Sequence, residues 1–188
     1  MLKIKQEKKI NVIIYNIMIN VVLYLPEIPP NTGNIIRTCY ATGAKLHIIK
    51  PISFDIFHPN IKRAAAGRVI EDIDYEIHEN YQDFLKKYGD KKIYYLTRYG
   101  QKNYSSINFN IEDEIWIMFG TESTGIPKKI LQKSLENCIR IPMKAECRSL
   151  NLANSVNLIV YEILRQKNFE GLSEFEVQKG KDFILEDE

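Results

Sequence analysis

The sequence predicts a single α/β domain built on a parallel β-sheet. Short runs of β-branched and apolar residues alternate with segments of helical periodicity along most of the chain. This alternation is typical of βαβ units, in which helices cover both faces of a parallel sheet. The 188 residues suit one domain, and no linker-like segment divides the pattern. No period of roughly 20–50 residues recurs, which excludes a solenoid.

The first element is predicted to be a buried strand over residues 19–25. Before it lie four lysines and an apolar run that Asn11 and Asn16 interrupt, with Asn20 within the strand itself. A membrane-spanning helix needs about 20 apolar residues, and a signal peptide needs a small-residue cleavage site that is not found here. We therefore predict no membrane segment. Residues 1–17 are interpreted as an appendage, with Met18 as an alternative functional start.

Five further strands and five helices are predicted in alternation after this strand. The strands are expected at 45–50, 74–78, 91–97, 114–119 and 137–141, where β-branched and aromatic residues concentrate. The helices are expected at 34–42, 60–66, 81–88, 127–135 and 152–166.

Helix boundaries have recognisable signals in three places. Asn31 or Thr32 is a candidate cap for the first helix, because a short side-chain oxygen can accept from free first-turn amides, and Gly43 suits the left-handed position that ends it. Pro127 is predicted to open the fourth helix. The last helix carries one apolar stripe at steps of three and four residues, formed by Val156, Ile159, Val160, Ile163 and Leu164.

The chain is predicted to end in an acidic tail over residues 168–188, which have a balance of −5. A capping-box pattern of Ser173 and Glu176 predicts a short helix at 173–178. Residues 18–167 have a balance of +4, which suits a polyanionic partner but is also common in proteins that bind no nucleic acid. The three cysteines are widely spaced and lack a metal-ligand pattern, so we expect a reduced cytoplasmic protein without a metal site.

Three segments contain more polar residues than folding alone requires. Residues 26–37 lie between a predicted strand and helix, where open α/β sheets bind ligands, and Arg37 could reach that place. Residues 116–127 contain Gly120, whose missing side chain could admit a ligand to the backbone, and Glu122. The loop that begins at residue 141 has about eight residues, which is longer than usual. Rigid turns and helix caps remain alternative explanations for each segment.

Together and in this order, these segments resemble the three motifs of the SPOUT methyltransferase superfamily, in particular its SpoU branch of RNA ribose 2′-O-methyltransferases. The matching residues are 31–37, 119–127, 141–143 and 148–154. Within this branch the chain is most similar to small TrmL-type enzymes, which methylate the wobble cytidine or modified uridine of tRNA. The likeness runs from residue 18 to about 167, which we take as the methyltransferase domain.

The resemblance implies a parallel-sheet α/β-knot fold with a C-terminal trefoil knot, a homodimer, tRNA as partner and S-adenosylmethionine as cofactor, without a metal. The cofactor is then expected to contact residues of the strand ends and knotted loops, namely Leu96, Thr97, Gly120, Glu122, Ile141, Met143, Ser149 and Leu150.

The resemblance also implies that Arg37, Asn34 and Asn151 form the catalytic group, and that Arg148, Asn154 and Tyr161 contact RNA. Two roles stay open for Arg37: a base perturbed by an RNA phosphate, or a cation that stabilises the forming alkoxide, since a neutral guanidine is costly at pH 7.

Some alternatives stay open beside this prediction. Tyr161 could instead be a core or dimer residue, and Cys147 stands where a serine is more typical. The rival functions are a SpoU enzyme for another tRNA position or for ribosomal RNA, and a non-catalytic RNA-binding module.

Overall fold

The structure is a computed structural model that describes residues 17–180 and 182–185. Residues 1–16 of the predicted appendage lie outside this described part. Within the two ranges, none of the helices combines the length and the apolar composition needed to cross a bilayer.

A parallel sheet of seven strands forms the centre of the molecule, with the order β3-β2-β1-β6-β4-β7-β5. Its strands are β1 (Met18–Tyr24), β2 (Lys45–Ile49), β3 (Tyr75–His78), β4 (Ile93–Leu96), β5 (Lys102–Asn103), β6 (Glu114–Phe119) and β7 (Cys138–Arg140). The α/β class and all six predicted strands are confirmed, with ends shifted by at most two residues. The two-residue edge strand β5 was not predicted, because both its residues are exposed and no apolar pattern marks it.

Five helices accompany the sheet: α1 (Pro29–Thr42), α2 (Pro59–Ala64), α3 (Tyr81–Tyr88), α4 (Lys128–Leu131) and α5 (Leu152–Gln166). The bounds predicted for α3 and α5 are confirmed, and Gly43 ends α1 with φ 73°. The helix predicted at 127–135 stops at Leu131, and a separate 3₁₀ turn follows at Leu135–Asn137. Residues 173–178 form bends rather than the predicted helix, because they are exposed and have no surface on which to pack.

Helix α1 begins five residues earlier than predicted, at Pro29 and Pro30, whose fixed φ suits a first helical turn. Asn31 and Thr32 therefore lie inside the helix, and the prediction that one of them caps it is wrong. The residue at the cap position is Ile28, which has no side-chain acceptor. The N–H groups of Asn31 and Thr32 donate to the carbonyl of Ile28, whereas those of Glu27 and Ile28, which precede the helix, have their acceptor in the site described below.

Two apolar layers cover the sheet. One layer packs α1 and α5 against residues such as Val21, Leu23 and Ile117, and the complete apolar stripe of α5 is buried in it. The other places Phe84 of α3 against Val22 and neighbouring strand residues. Alternate strand residues thus face opposite layers, as a sheet buried on both faces requires. This packing fixes the carboxyl ends of β4, β6 and β7 next to the start of α1.

Candidate active site

A cavity of about 410 Å³ lies beyond the carboxyl ends of β4, β6 and β7. All three polar segments contribute to its wall, which agrees with the usual position of ligand sites in open α/β sheets. The eight residues predicted to contact a cofactor all lie on this wall: Leu96, Thr97, Gly120, Glu122, Ile141, Met143, Ser149 and Leu150. Their contact with a cofactor stays a prediction.

Gly120 is required by the closure of its own loop. A Cβ on this residue would lie 2.2 Å from the carbonyl carbon of Gly125 and 2.3 Å from the nitrogen of Ile126. The loop is held in this closed form by Thr121, whose Oγ1 accepts hydrogen bonds from the backbone N–H groups of Thr124 and Gly125 at 3.0 Å each. The Cβ direction of Gly120 is therefore filled by protein backbone, which requires a glycine at this position. The backbone of Gly120 still lies on the cavity wall, and its contact with a cofactor stays a prediction.

Glu122 binds the open end of α1. Its two carboxylate oxygens accept hydrogen bonds from the backbone N–H of Glu27 at 2.9 Å, from that of Ile28 at 3.2 Å and from Nδ2 of Asn31 at 2.9 Å. A carboxylate at a helix N-terminus is also favoured by the helix dipole. Glu122 thus holds, from a distant loop, the residues that lead into α1 and the side chain of Asn31 in its first turn.

Glu27 in turn accepts hydrogen bonds from the loop that carries Glu122. Its carboxylate accepts from the backbone N–H of Ser123 at 2.8 Å and from the hydroxyl of Ser123 at 2.7 Å. The two glutamates therefore exchange hydrogen bonds between the start of α1 and the loop after β6. We call the pair Glu27 and Glu122 the glutamate clamp.

Asn31 connects the glutamate clamp to the third segment. Its Oδ1 accepts from Nδ2 of Asn151 at 2.9 Å, while Oδ1 of Asn151 accepts from the backbone N–H of Asn154 at the start of α5. Asn31 is only 6% exposed, and both ends of its amide are bonded. A single chain of hydrogen bonds, Glu122 to Asn31 to Asn151, thereby joins all three segments.

The sequence reasoning missed Asn31 and Glu27 as site residues. Asn31 was interpreted as a cap, and Glu27 was not singled out. The signal available was that the first and third segments each hold more amide side chains than helix capping can use. Arg98 and Tyr99, which also lie on the cavity wall, were likewise not singled out.

Arg37 and Asn34 are both exposed and do not belong to the cavity wall. Arg37 lies six residues beyond Asn31, about 9 Å further along the helix axis and on a different face. The structure therefore does not bring these two predicted catalytic residues into the cavity of their own chain. It does bring Asn151, the third member of that group, onto the wall.

The three residues predicted to contact RNA are exposed, at different distances from the cavity. Arg148 lies on the cavity wall, whereas Asn154 and Tyr161 do not. Tyr161 is 41% exposed on α5, which excludes the alternative that it is a core residue. Cys147 is exposed and free.

In the part of the chain that the structure describes, one cluster has the residue types of a metal site. His47, Glu76 and His78 place ligand atoms within 4.8 Å of one another. It lies on β2 and β3, at the sheet edge away from the cavity. Glu76 already accepts from Lys87 and from Tyr88 at 2.7 Å each, and the histidine rings are bonded to each other at 3.1 Å. These contacts give Glu76 and the two rings hydrogen-bond partners within the protein.

The comparison with protein families matches the model described as "SpoU rRNA Methylase family" to residues 18–161. This range contains all three segments of the cavity and ends inside α5. The chain belongs to the SpoU family. The resemblance inferred from the three motifs is thereby confirmed.

The alignments with individual SpoU relatives cover nearly the whole length of each relative. The tRNA (cytidine(34)-2′-O)-methyltransferase of Escherichia coli K12 is 40% identical over 161 residues, which are 82% of this chain and 97% of that enzyme. The enzyme of the same name from Methylovorus glucosotrophus is 40% identical over 155 residues, which are 82% of this chain and 99% of the relative.

Solved SpoU structures share the fold. One described as concerning 2-OH methylation of C/U34 on tRNA is 33% identical, covers 81% of this chain and 97% of its own, and has a TM-score of 0.74. An AdoMet-bound rRNA methyltransferase from Sinorhizobium meliloti is 26% identical, covers 79% of this chain and 56% of its own, and has a TM-score of 0.70.

Proposed function

We propose that this protein transfers a methyl group from S-adenosylmethionine to the ribose 2′-hydroxyl of nucleotide 34 of tRNA. The observation that carries this proposal is the convergence of the three motif segments on one cavity, linked by the Glu122–Asn31–Asn151 chain. The two relatives that are 40% identical over nearly their whole length are named for this activity, which supports the choice of substrate.

The cavity suits the proposed cofactor. Its volume of about 410 Å³ lies in the usual range for small-molecule sites, roughly 300–1,000 Å³. Leu96, Ile141 and Leu150 give it apolar walls for an adenine, and Leu150 leaves 43% of its surface exposed there. Thr97 and Ser149 add hydroxyl groups at the wall. When bound, the sulfonium supplies an activated methyl group, and no metal is needed for the transfer.

The residues of this chain would act by positioning and by charge. Asn31, Glu122 and Asn151 fix α1 against the cavity, and we propose that Arg37 on this helix meets the ribose hydroxyl. Of its two possible roles, we assign the cationic one, in which the guanidinium stabilises the oxygen as its proton leaves to water or another group. This role avoids a neutral guanidine and fits an exposed arginine.

We propose that the protein acts as a homodimer. Arg37 does not line the cavity of its own chain, so a second copy would complete the site. Exposed apolar side chains beside the cavity and on α5 support such a contact, among them Ile28 at 43%, Leu150 at 43% and Tyr161 at 41%. In this arrangement Arg37 of one copy approaches the cavity of the other.

We also propose that the chain is knotted at β7. Leu96 of β4 pairs with Ile139 on one side, and Lys102 of β5 pairs with the same residue on the other. The chain from 96 to 102 therefore passes around β7, and Gly100 lies so close that a Cβ would be 2.5 Å from the carbonyl carbon of Ile139. This enclosure supports threading of the C-terminal segment through the loop.

Residues 18–167 are proposed as the methyltransferase domain. The tail after residue 167 is exposed at most of its described positions, which supports its separation from this domain. The cytoplasmic location stays a prediction from the three free cysteines.

The proposal is tested by incubating the protein with methyl-labelled S-adenosylmethionine and tRNA from a strain that lacks wobble ribose methylation. We expect the label at the 2′-oxygen of nucleotide 34. Label at another tRNA position, or only in ribosomal RNA, would transfer the assignment to a different SpoU activity. Binding of the cofactor and tRNA without any transfer of label would support the non-catalytic module instead.

A further inference from the structure

A group of exposed cations lies beside Arg37, outside the residues that the sequence motifs contain. Lys62 and Arg63 belong to α2, and Arg68 lies in the turn that follows it. All three are exposed, as is Arg37 itself. We call these four residues the α1–α2 surface.

Close packing of α1 on α2 places Arg37 and the cations of α2 on two neighbouring elements. At Gly33 the helices nearly touch, because a Cβ there would lie 2.4 Å from the carbonyl oxygen of Ile61. Tyr40 lies two turns further along the same face of α1. The guanidinium carbon of Arg68 lies 4.0 Å from the centroid of its ring. Residues four and seven positions after Gly33 share its face, so Arg37 lies between these two contacts.

The charges of the α1–α2 surface are not balanced by ion pairs. Among residues 17–180 and 182–185, no carboxylate oxygen lies within 4.0 Å of any of the four cationic groups. By contrast, four lysines in α3 and just before β4 form ion pairs with carboxylates: Lys86, Lys87, Lys91 and Lys92. Three acidic residues lie close in sequence. Asp55 and Asp72 accept from the backbone N–H groups of Phe57 and Val69, and Glu71 is exposed in the turn after Arg68.

Exposed aromatic rings accompany these cations. Tyr40 is 46% exposed and Phe57 is 60% exposed. Unpaired arginines and lysines interleaved with exposed rings are typical of surfaces that bind RNA loops, where cations contact phosphates and rings stack on bases.

We propose that the α1–α2 surface binds the phosphate backbone of the substrate RNA and thereby delivers the ribose to Arg37. This inference rests on the proposed function and adds a docking site to it. Lys62, Arg63 and Arg68 are RNA-positioning residues in this proposal, because they contact phosphates and take no part in the methyl transfer.

The test compares a double variant, Lys62→Gln with Arg63→Gln, with a control that removes two ion-paired lysines, Lys86→Gln with Lys91→Gln. Affinity for unmodified tRNA is measured over a series of salt concentrations. We expect the first variant to bind about tenfold more weakly and its log–log salt slope to decrease by about 1.5, since each phosphate contact contributes roughly 0.7–0.9. The control should keep the parental affinity and slope.

S-adenosylmethionine affinity and sedimentation mass of the double variant should remain parental. Arg68→Gln, which leaves α2 unchanged, should weaken tRNA binding in the same direction. Parental tRNA affinity and salt slope in the double variant would overturn the proposal, and so would a changed sedimentation mass, which would assign the surface to a second copy. A parental protein that binds no tRNA would overturn the proposed function, and this inference with it.

Discussion

The side chain of Asn31 accepts a hydrogen bond from Asn151 at 2.9 Å, although 120 residues separate them. This bond ties the helix that carries Arg37 to the loop that closes the cavity. Through Asn31 Nδ2 it continues to Glu122, so the cavity wall and α1 share one hydrogen-bonded frame. The position of α1 is therefore set by residues from all three motifs.

Asn31→Ala should break this frame. The substitution leaves the Glu122 carboxylate and the Asn151 amide each without one partner, which costs about 1–3 kcal/mol of unfolding free energy. Methyl transfer should decrease by more than the loss of folded protein explains, because α1 is no longer held against the cavity. Urea unfolding and single-turnover methylation measure the two effects. Asn157→Ala on the exposed face of α5 is the control, and an equal result for both variants would contradict the role of Asn31.

Glu122→Gln tests the glutamate clamp. The carboxylate accepts three N–H groups, and a glutamine would turn an NH₂ group towards at least one of these donors. We expect a loss of about 1.5–3 kcal/mol in unfolding free energy together with weaker S-adenosylmethionine binding. Calorimetry and denaturation measure both quantities. The exposed Glu136→Gln should change neither, and cofactor affinity that stays parental in Glu122→Gln would show that the clamp does not shape the cavity.

Gly120→Ala should prevent closure of the loop after β6. The new Cβ would overlap the backbone of Gly125 at 2.2 Å, so the loop must open and the cavity wall must change. We expect S-adenosylmethionine binding to be lost. Gly43→Ala is the matched control, because its φ of 73° is strained but no atom lies within 4 Å of the new Cβ. That control should lose only about 1–2 kcal/mol of unfolding free energy and keep cofactor binding, and equal binding by both variants would refute this role of Gly120.

The buried histidine pair predicts a pH dependence of stability. Burial and the nearby His78 lower the pKa of His47 from 6.5 to about 3, and burial also lowers the pKa of His78, against the charge of Glu76. The unfolded chain therefore binds more protons below pH 6.5, so stability should fall as pH decreases from 6.5. The slope is about 1.4 kcal/mol per pH unit for one histidine well below its unfolded pKa.

His47→Gln should flatten this slope between pH 6.5 and 5. Glu76 contributes little in that window. Burial alone would raise its pKa, but hydrogen bonds from Lys87 and Tyr88 lower it to about 2, so its stabilisation is lost mainly between its unfolded pKa of 4.5 and pH 2. Urea unfolding over this pH range measures the slope. An unchanged slope in the variant would show that His47 is not the group responsible.

The sheet could be predicted from sequence because each strand is a local apolar run, and the stripe of α5 likewise follows from its own residues. The start of α1 has a local signal in Pro29 and Pro30, but its attachment to the cavity could not be predicted, since Glu122 lies 94 residues away from Ile28. Asn31 was missed for the same reason, because its partners lie on two other loops. Gly120 was placed correctly on the cavity wall. The reason for a glycine there could not be predicted, because a side chain would clash with the backbone of Gly125 and Ile126 in a turn whose conformation cannot be derived from the sequence.

The central claim is that Arg37 assists methyl transfer to a ribose from a donor held in this cavity. It is tested most directly by measuring label transfer to tRNA by Arg37→Ala beside S-adenosylmethionine affinity of the same variant. We predict that transfer is abolished while cofactor affinity stays nearly parental. Full transfer by Arg37→Ala on unmodified tRNA would remove Arg37 from the mechanism and contradict the account.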